Sequence, residues 1–287
     1  MHPKIFEKFT PVEITTDGKS VYDFLGGKIN AAYKHGWQPP VAGRTFVPGY
    51  PGYNEWMVDW IAVLASAYFA DETYSVMELG AGYGQWMTSA LQAYHQLKPD
   101  GACFGLALEA DDVHFEWLKQ HIVDNELDRF SRILPVHGAA GRDGTVSFPV
   151  LEDPAKNYGA SSFSGVKSNS ITVPSYGLKS IFSLVSEPLV DLLHIDIQGS
   201  EQELIVDSGI EEELACVKFI LLGTHRNEAL HLNCKRQFES LNFECVIEWP
   251  RNSSVSFFGH DIATNDGAIL AVNRGHCSPA LVRELIA

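Results

Sequence analysis

Paired cysteines are missing from this sequence. The five it has (Cys103, Cys216, Cys234, Cys245 and Cys277) are scattered, odd in number and without a C-x-x-C pair, which leaves no zinc-site spacing and suits free thiols in a reducing cytoplasm. Basic residues are scarce too: 21 Lys and Arg stand against 36 Asp and Glu, a net charge of −15, and nowhere do the basic residues cluster. Contacts to phosphates need such clusters, so the balance argues against a nucleic-acid surface. No apolar run reaches the length of a bilayer; the longest, Trp56 to Ala70, is too short and contains Asp59. The opening Met-His-Pro-Lys-Ile lacks the basic-then-apolar layout of a secretory signal, and there are no internal repeats. These absences leave a cytoplasmic protein with no membrane or nucleic-acid partner as the expectation; oligomeric state cannot be read. What is present is ordinary for a globular chain: 287 residues, 45% hydrophobic and 20% charged, enough for one large domain or a domain with an added arm.

Residues up to about Gly52 are rich in Gly, Pro and aromatics and have little periodicity, which suggests an arm or lid. Its aromatics (Trp37, Phe46, Tyr50, Tyr53, with Trp56 just beyond) either pack on the sheet or close over a ligand. From Asn54 to Phe69, Trp56, Trp60, Val63, Leu64 and Tyr68 recur at helical spacing. Strand and helix signals then alternate. Strands are predicted at Ser75–Leu79, Ala102–Glu109, Ser131–His137, Val146–Val150, Ile171–Pro174, Leu189–Ile197 and Val217–Gly223. Helices are predicted at Trp86–Gln96, Val113–Asn125, Glu201–Ser208 and Leu230–Leu241, and Phe243–Trp249 with Ala268–Val272 suit an antiparallel edge. That alternation implies an α/β fold, a mostly parallel sheet covered on both faces, with ligands gathered at the carboxyl ends of its strands. The Ser- and Gly-rich stretch 152–169 is a long insertion, and the polar residues His260, Asp261, Asn265 and Asp266 read as a solvated loop.

Val76-Met77-Glu78-Leu79-Gly80-Ala81-Gly82-Tyr83-Gly84-Gln85 is the most informative stretch: an apolar run ending in an acid, glycines at every second position, then a helix signal. Such a turn lets a ligand lie on bare backbone, and the helix start favours negative charge. A dinucleotide turn wants G-x-G-x-x-G, and its third glycine is replaced here by Gln85. The E-x-G-x-G-x-G pattern resembles instead the first motif of class I S-adenosylmethionine-dependent methyltransferases. Glu109 ends the next strand, where a carboxylate can accept both hydroxyls of a ribose; Asp111 or Asp112 suits a helix cap. Leu134-Pro135-Val136-His137-Gly138-Ala139-Ala140-Gly141 offers small residues against which an adenine ring can lie, or a plain turn. Val190-Asp191-Leu192-Leu193-His194-Ile195-Asp196-Ile197-Gln198-Gly199-Ser200-Glu201 delivers Asp196 and Gln198 to a strand end, where Asp196 faces a ligand or caps the next helix.

This last segment resembles the D-L-[LI]-K-I-D-[VI]-E-G-[AS]-E signature of the FkbM family of methyltransferases. Gly159-Ala160-Ser161-Ser162-Phe163 is similar to that family's Gly-Ala-Ser-Ser-Leu loop, and Leu222-Gly223-Thr224-His225 to its Glu-x-His element. The resemblance implies a Rossmann-like class I methyltransferase fold, a mostly parallel seven-stranded sheet with helices on both faces, an N-terminal arm over 1–52 and the domain over 53–287. It implies S-adenosyl-L-methionine as cofactor and transfer of methyl to a hydroxyl of a sugar, polyketide or other small molecule. Gly80, Gly82 and Gly84 would cradle the methionine part, Glu109 the ribose, and Gly138 and Ala139 the adenine, with Glu78, Ala110 and Asp196 also binding the cofactor. Asp196 and His225 would face the reacting centre, with His225 as general base. Gln198, His194 and Gly223 stand where the family usually has Glu, Lys and an acid. With only Asp196 left as a hard ligand, the substitutions count against the divalent metal some relatives use. A nicotinamide-dependent oxidoreductase and a non-catalytic binding module of the same fold remain the alternatives.

Overall fold

Seven apolar runs pair into one twisted sheet because each presents β-branched and aliphatic residues to both faces. They are β1 (Thr73–Leu79), β2 (Ala102–Glu109), β3 (Ser131–His137), β4 (Val190–Ile195), β5 (Val217–Thr224), β6 (Phe243–Trp249) and β7 (Gly267–Asn273). This computed structural model describes residues 2–160, 169–206 and 209–287. The spatial order is β6-β7-β5-β4-β1-β2-β3, with β1 to β5 parallel and β7 antiparallel to both its neighbours. The fold is thus the Rossmann-like methyltransferase arrangement, and the antiparallel edge expected from the tail is β7 inserted between β5 and β6.

Alternation along the strands sorts the core into two layers. Val76, Leu192 and Phe219 face α1 (Met57–Tyr68), α2 (Gln85–Leu97), α3 (Asp112–Asp124) and the C-terminal helix Pro279–Ile286. Their neighbours Met77, Leu193 and Ile220 face the short helices Leu178–Phe182 and Glu211–Ala215 and the longer Glu228–Ser240. In α1, Ile61 and Leu64 are fully buried, and each such side chain contributes about 1.5–3 kcal/mol. The N-terminal residues Ile5, Phe6 and Phe9 are buried in that same layer. Two small antiparallel strand pairs follow them, the hairpin Ser20–Tyr22 with Lys28–Asn30 and, around it, Ile14–Thr15 with Thr45–Phe46. Among the described residues no helix is long and apolar enough to cross a membrane.

Some expectations are corrected. The strands predicted at Val146–Val150 and Ile171–Pro174 are not in the central sheet. They run over Gly144–Pro149 and Ser170–Tyr176, pair antiparallel, and form a separate three-stranded sheet with Ala139–Ala140. Only one of their faces is buried, which suits a flap better than a covered sheet. The helix expected over Glu201–Ser208 is present in a wider form, a π-helix over Gln202–Val206, with 207–208 outside the described residues. The polar stretch around His260 is not a loop: Ser253–Phe257 and His260–Thr264 form a hairpin, turned by Phe258 and Gly259 in left-handed conformations.

Candidate active site

The carboxyl ends of β1, β2, β4 and β5 lie level, since Leu79 is opposite both Ile195 and Leu108, and Ile195 is opposite Leu222. Chain leaving β1 must therefore turn against chain leaving β4. Gly80 does so at φ 81°, and a Cβ on it would lie 1.9 Å from the Asp196 carbonyl oxygen. The N–H groups of Gly80 and Ala81 both donate to Leu108 O, at 2.9 and 3.0 Å. Gly84, also left-handed, opens α2, and a Cβ there would meet Leu118 at 2.4 Å.

Two acids anchor this turn. Glu78 accepts the N–H of Met87 at 2.9 Å and of Trp86 at 3.3 Å, tying β1 to the first turn of α2. Glu109 accepts Gly82 N–H at 2.6 Å on one oxygen and Asp111 N–H at 2.7 Å on the other. Burial pushes each carboxyl up to about 7 against the pull of those donors. An ionised carboxylate has about four acceptor positions, so Glu109 keeps capacity for a ligand's hydroxyls. Asp111 caps α3, accepting Val113 and His114 N–H at 2.9 Å each. Beyond Glu109, its carbonyl accepts Gly138 N–H at 2.8 Å, and a Cβ on Gly138 would press on Tyr176 and Pro174.

On the other side, β4 and β5 bring Asp196 and His225 together. His225 Nε2 lies 3.0 Å from Asp196 Oδ1, and its Nδ1 lies 2.5 Å from Glu201 Oε1. The Gln198 amide nitrogen also donates to Asp196 Oδ1 at 2.9 Å, so two donors converge on one oxygen. Gly223 makes the room: a Cβ there would sit 3.1 Å from the His225 ring and 3.6 Å from Asp196. Burial works against charge on His225, but the two carboxylates outweigh it and raise its pKa to about 10. Burial likewise works against charge on Asp196, and the His225 contact overrides it, holding the carboxyl below its ordinary range. Asp266 stands 4.0 Å from the same imidazole. Among the described residues no group of three or more His, Cys, Asp or Glu is arranged to hold a metal ion.

These elements line one cavity of about 190 Å³. Glu78, Gly80, Gly82, Glu109, Ala110, Gly138, Ala139 and Asp196 line it. Of the residues expected there, Gly84 instead sits at the start of α2 and His225 behind Asp196 and Gln198. Phe148 of the small sheet closes the Ala139 end. Tyr158 roofs the glycine turn, its hydroxyl donating to Tyr33 O at 2.5 Å and its ring stacked on His114 at 4.4 Å. Glu201, Tyr158, His194 and Lys34 were not singled out from the sequence as site residues. For Glu201 the signal was there, as the second acid of the Asp-Ile-Gln-Gly-Ser-Glu element. The Ser161 to Phe163 part of the loop likened to Gly-Ala-Ser-Ser-Leu lies outside the described residues.

No family model matches the chain. A protein of Jannaschia sp. (strain CCS1) named "Putative methyltransferase" is 30% identical over 216 residues, spanning 71% of this chain and 75% of its own. The chain belongs to that methyltransferase family. Solved structures similar to it include the FkbM methyltransferase of Methylobacillus flagellatus KT, 12% identical over 70% of this chain and 44% of that one, with a TM-score of 0.43. Another is an O-methyltransferase from Bacillus cereus in complex with SAH, 12% identical over 78% and 83%, TM-score 0.42. A third is precorrin-6y C5,15-methyltransferase from Geobacter metallireducens GS-15, 14% identical over 75% and 86%, TM-score 0.41.

The cavity has one open carboxylate among the described residues that line it. Glu78 and Glu109 are 1% and 7% exposed, and Asp111 is taken up by its cap, whereas the Asp196 side chain is 45% exposed. From the cavity, Asp196 is reached before His225, whose side chain is 8% exposed.

Proposed function

We propose that this methyltransferase is of the FkbM type and uses S-adenosyl-L-methionine to methylate a hydroxyl of a sugar, polyketide or other small molecule. The observation that carries the reading is the convergence in one cavity of the bare Gly80–Gly82 turn, the buried Glu109 and the open Asp196. That cavity fits the cofactor. The bare backbone of Gly80 and Gly82 would hold the methionine part, Glu78 its ammonium, and Glu109 would offer acceptors to the ribose. Ala110, Gly138, Ala139 and Phe148 give the adenine a flat apolar slot. The cofactor supplies an electrophilic methyl on sulfonium sulfur. The chain supplies orientation and proton handling. An imidazole with a carboxylate on each nitrogen must carry both protons to satisfy both, so His225 acts as a fixed cation behind Asp196. Asp196 would accept the acceptor's O–H and orient the oxygen, taking the proton as the oxygen–methyl bond forms and the sulfur–methyl bond breaks to leave a neutral thioether. In this reading residues 53–287 form the catalytic domain and 1–52 its arm, working in the cytoplasm without nucleic acid.

The test is titration calorimetry with S-adenosylhomocysteine. Micromolar binding is expected, weakened about 10- to 100-fold in Glu109→Ala, the range for hydrogen bonds to a charged group. A well-folded protein that does not bind would overturn the assignment of cofactor.

A further inference from the structure

One end of the cavity is left over by the methyl-transfer machinery. Lys34 lines it with Trp56, Gln85 and Trp86. The ammonium lies 3.7 Å from the centre of the Trp56 ring and 5.7 Å from that of Trp37. Among the described residues no carboxylate stands within ion-pair distance of it; Glu55 acts on it only from farther off, and burial draws its pKa down. In a chain with 36 acids and a net charge of −15, a half-buried lysine without an acid partner is the exception. Two indole faces are worth about 0.5–2 kcal/mol to an ammonium, less than the several kcal/mol that desolvating an ion costs.

A buried ring nitrogen without a partner lines the same cavity. His194 is 3% exposed, its Nε2 lies 3.0 Å from Asp59, and its Nδ1 is buried with no partner. Its ring lies 6.2 Å from that of Trp86. Helix α2 opens here as well, at Gln85, and Glu78 takes up only the Trp86 and Met87 N–H groups of its first turn. The Lys34 cation and the helix start favour negative charge, and so does the His194 ring: burial opposes its charge, but the Asp59 contact outweighs that and raises its pKa, which favours a proton on Nδ1 as well.

We propose that this end of the cavity seats a carboxylate, with Lys34 as its counter-ion. Two molecules can bring one: the cofactor, on its methionine tail, or the acceptor, as an acid group near the reacting hydroxyl. The first source rests on the proposed cofactor; the second needs only the cavity.

Calorimetry on wild type, Lys34→Met and Lys34→Arg separates the two. S-adenosylhomocysteine is compared with 5′-methylthioadenosine, which keeps nucleoside and sulfur but has no amino acid. In protein saturated with S-adenosylhomocysteine, 4-hydroxybenzoate is compared with 4-hydroxybenzyl alcohol, and glucuronate with glucose. Lys34→Met is expected to weaken one class of carboxylate at least about 10-fold, to leave its uncharged counterpart within about two-fold, and to be largely rescued in Lys34→Arg. Loss confined to S-adenosylhomocysteine assigns the seat to the cofactor, and loss confined to the acids assigns it to the acceptor. Equal binding of every carboxylate to wild type and Lys34→Met, with unchanged thermal stability, overturns the proposal. If wild type fails to bind S-adenosylhomocysteine, it is the cofactor reading that falls. The acids titrated alone then decide Lys34, and the absence of any preference for them over their neutral counterparts overturns it.

Discussion

His225 shows how little a residue's type says about its protonation until its neighbours are counted. A free imidazole titrates near neutrality and suits a base. Held between Asp196 and Glu201, this one keeps its proton up to about pH 10. In the proposed reaction the base is then Asp196, and Glu201 is a positioning residue that acts through the ring. Asp196→Asn is expected to lower kcat about 10²- to 10⁴-fold, the usual contribution of a positioned proton acceptor. Glu201→Gln should cost less in kcat and leave S-adenosylhomocysteine affinity unchanged. It should also move the alkaline limb of the pH–rate profile down by about one unit or more, because His225 loses one of its two counter-charges. A Glu201→Gln profile that superimposes on wild type would reduce Glu201 to a packing role.

At the scale of elements, the glycine turn was legible because its signal is local. An apolar run, alternating glycines and a helix start lie within ten consecutive positions, Val76 to Gln85, and the backbone there follows the pattern. The acids at strand ends were legible for the same reason. What joins elements far apart was not. Tyr158 reaches Tyr33 across 125 positions, His225 reaches Glu201 across 24, and the flap strands read like core strands because alternation does not say which sheet they enter. The turn yields a sharp expectation of its own. In Gly80→Ala the new methyl would fall 1.9 Å from the Asp196 carbonyl, and φ 81° is strained for alanine. The strands must part or the turn must flip, at a cost of at least about 1–3 kcal/mol. Thermal unfolding should show a lowered Tm and calorimetry the loss of S-adenosylhomocysteine binding, whereas Gly36→Ala, which meets nothing within 4 Å, should retain that binding.

Across the whole molecule these sites couple stability to pH and to ligand. Glu78 and Glu109 titrate near 7 in the folded chain against 4.5 unexceptionally, and His225 near 10 against 6.5. All three folded values are raised, so above pH 6.5 the folded chain holds protons that the unfolded chain has released, and stability falls as pH rises. His121, buried and lowered to about 4, has the opposite sign, but its effect is complete once pH exceeds 6.5. The free protein should therefore unfold at a lower temperature at pH 8.5 than at pH 6.5. In the proposed complex a bound cofactor reverses part of this, because its ammonium and ribose hydroxyls would favour ionised Glu78 and Glu109. The rise in Tm given by S-adenosylhomocysteine should then be larger at pH 8.5 than at pH 6.5, and Glu109→Gln should flatten that difference. Scanning fluorimetry at the two pH values, with and without ligand, reads both effects. A ligand-induced shift independent of pH would mean that the buried carboxyls do not face the cofactor.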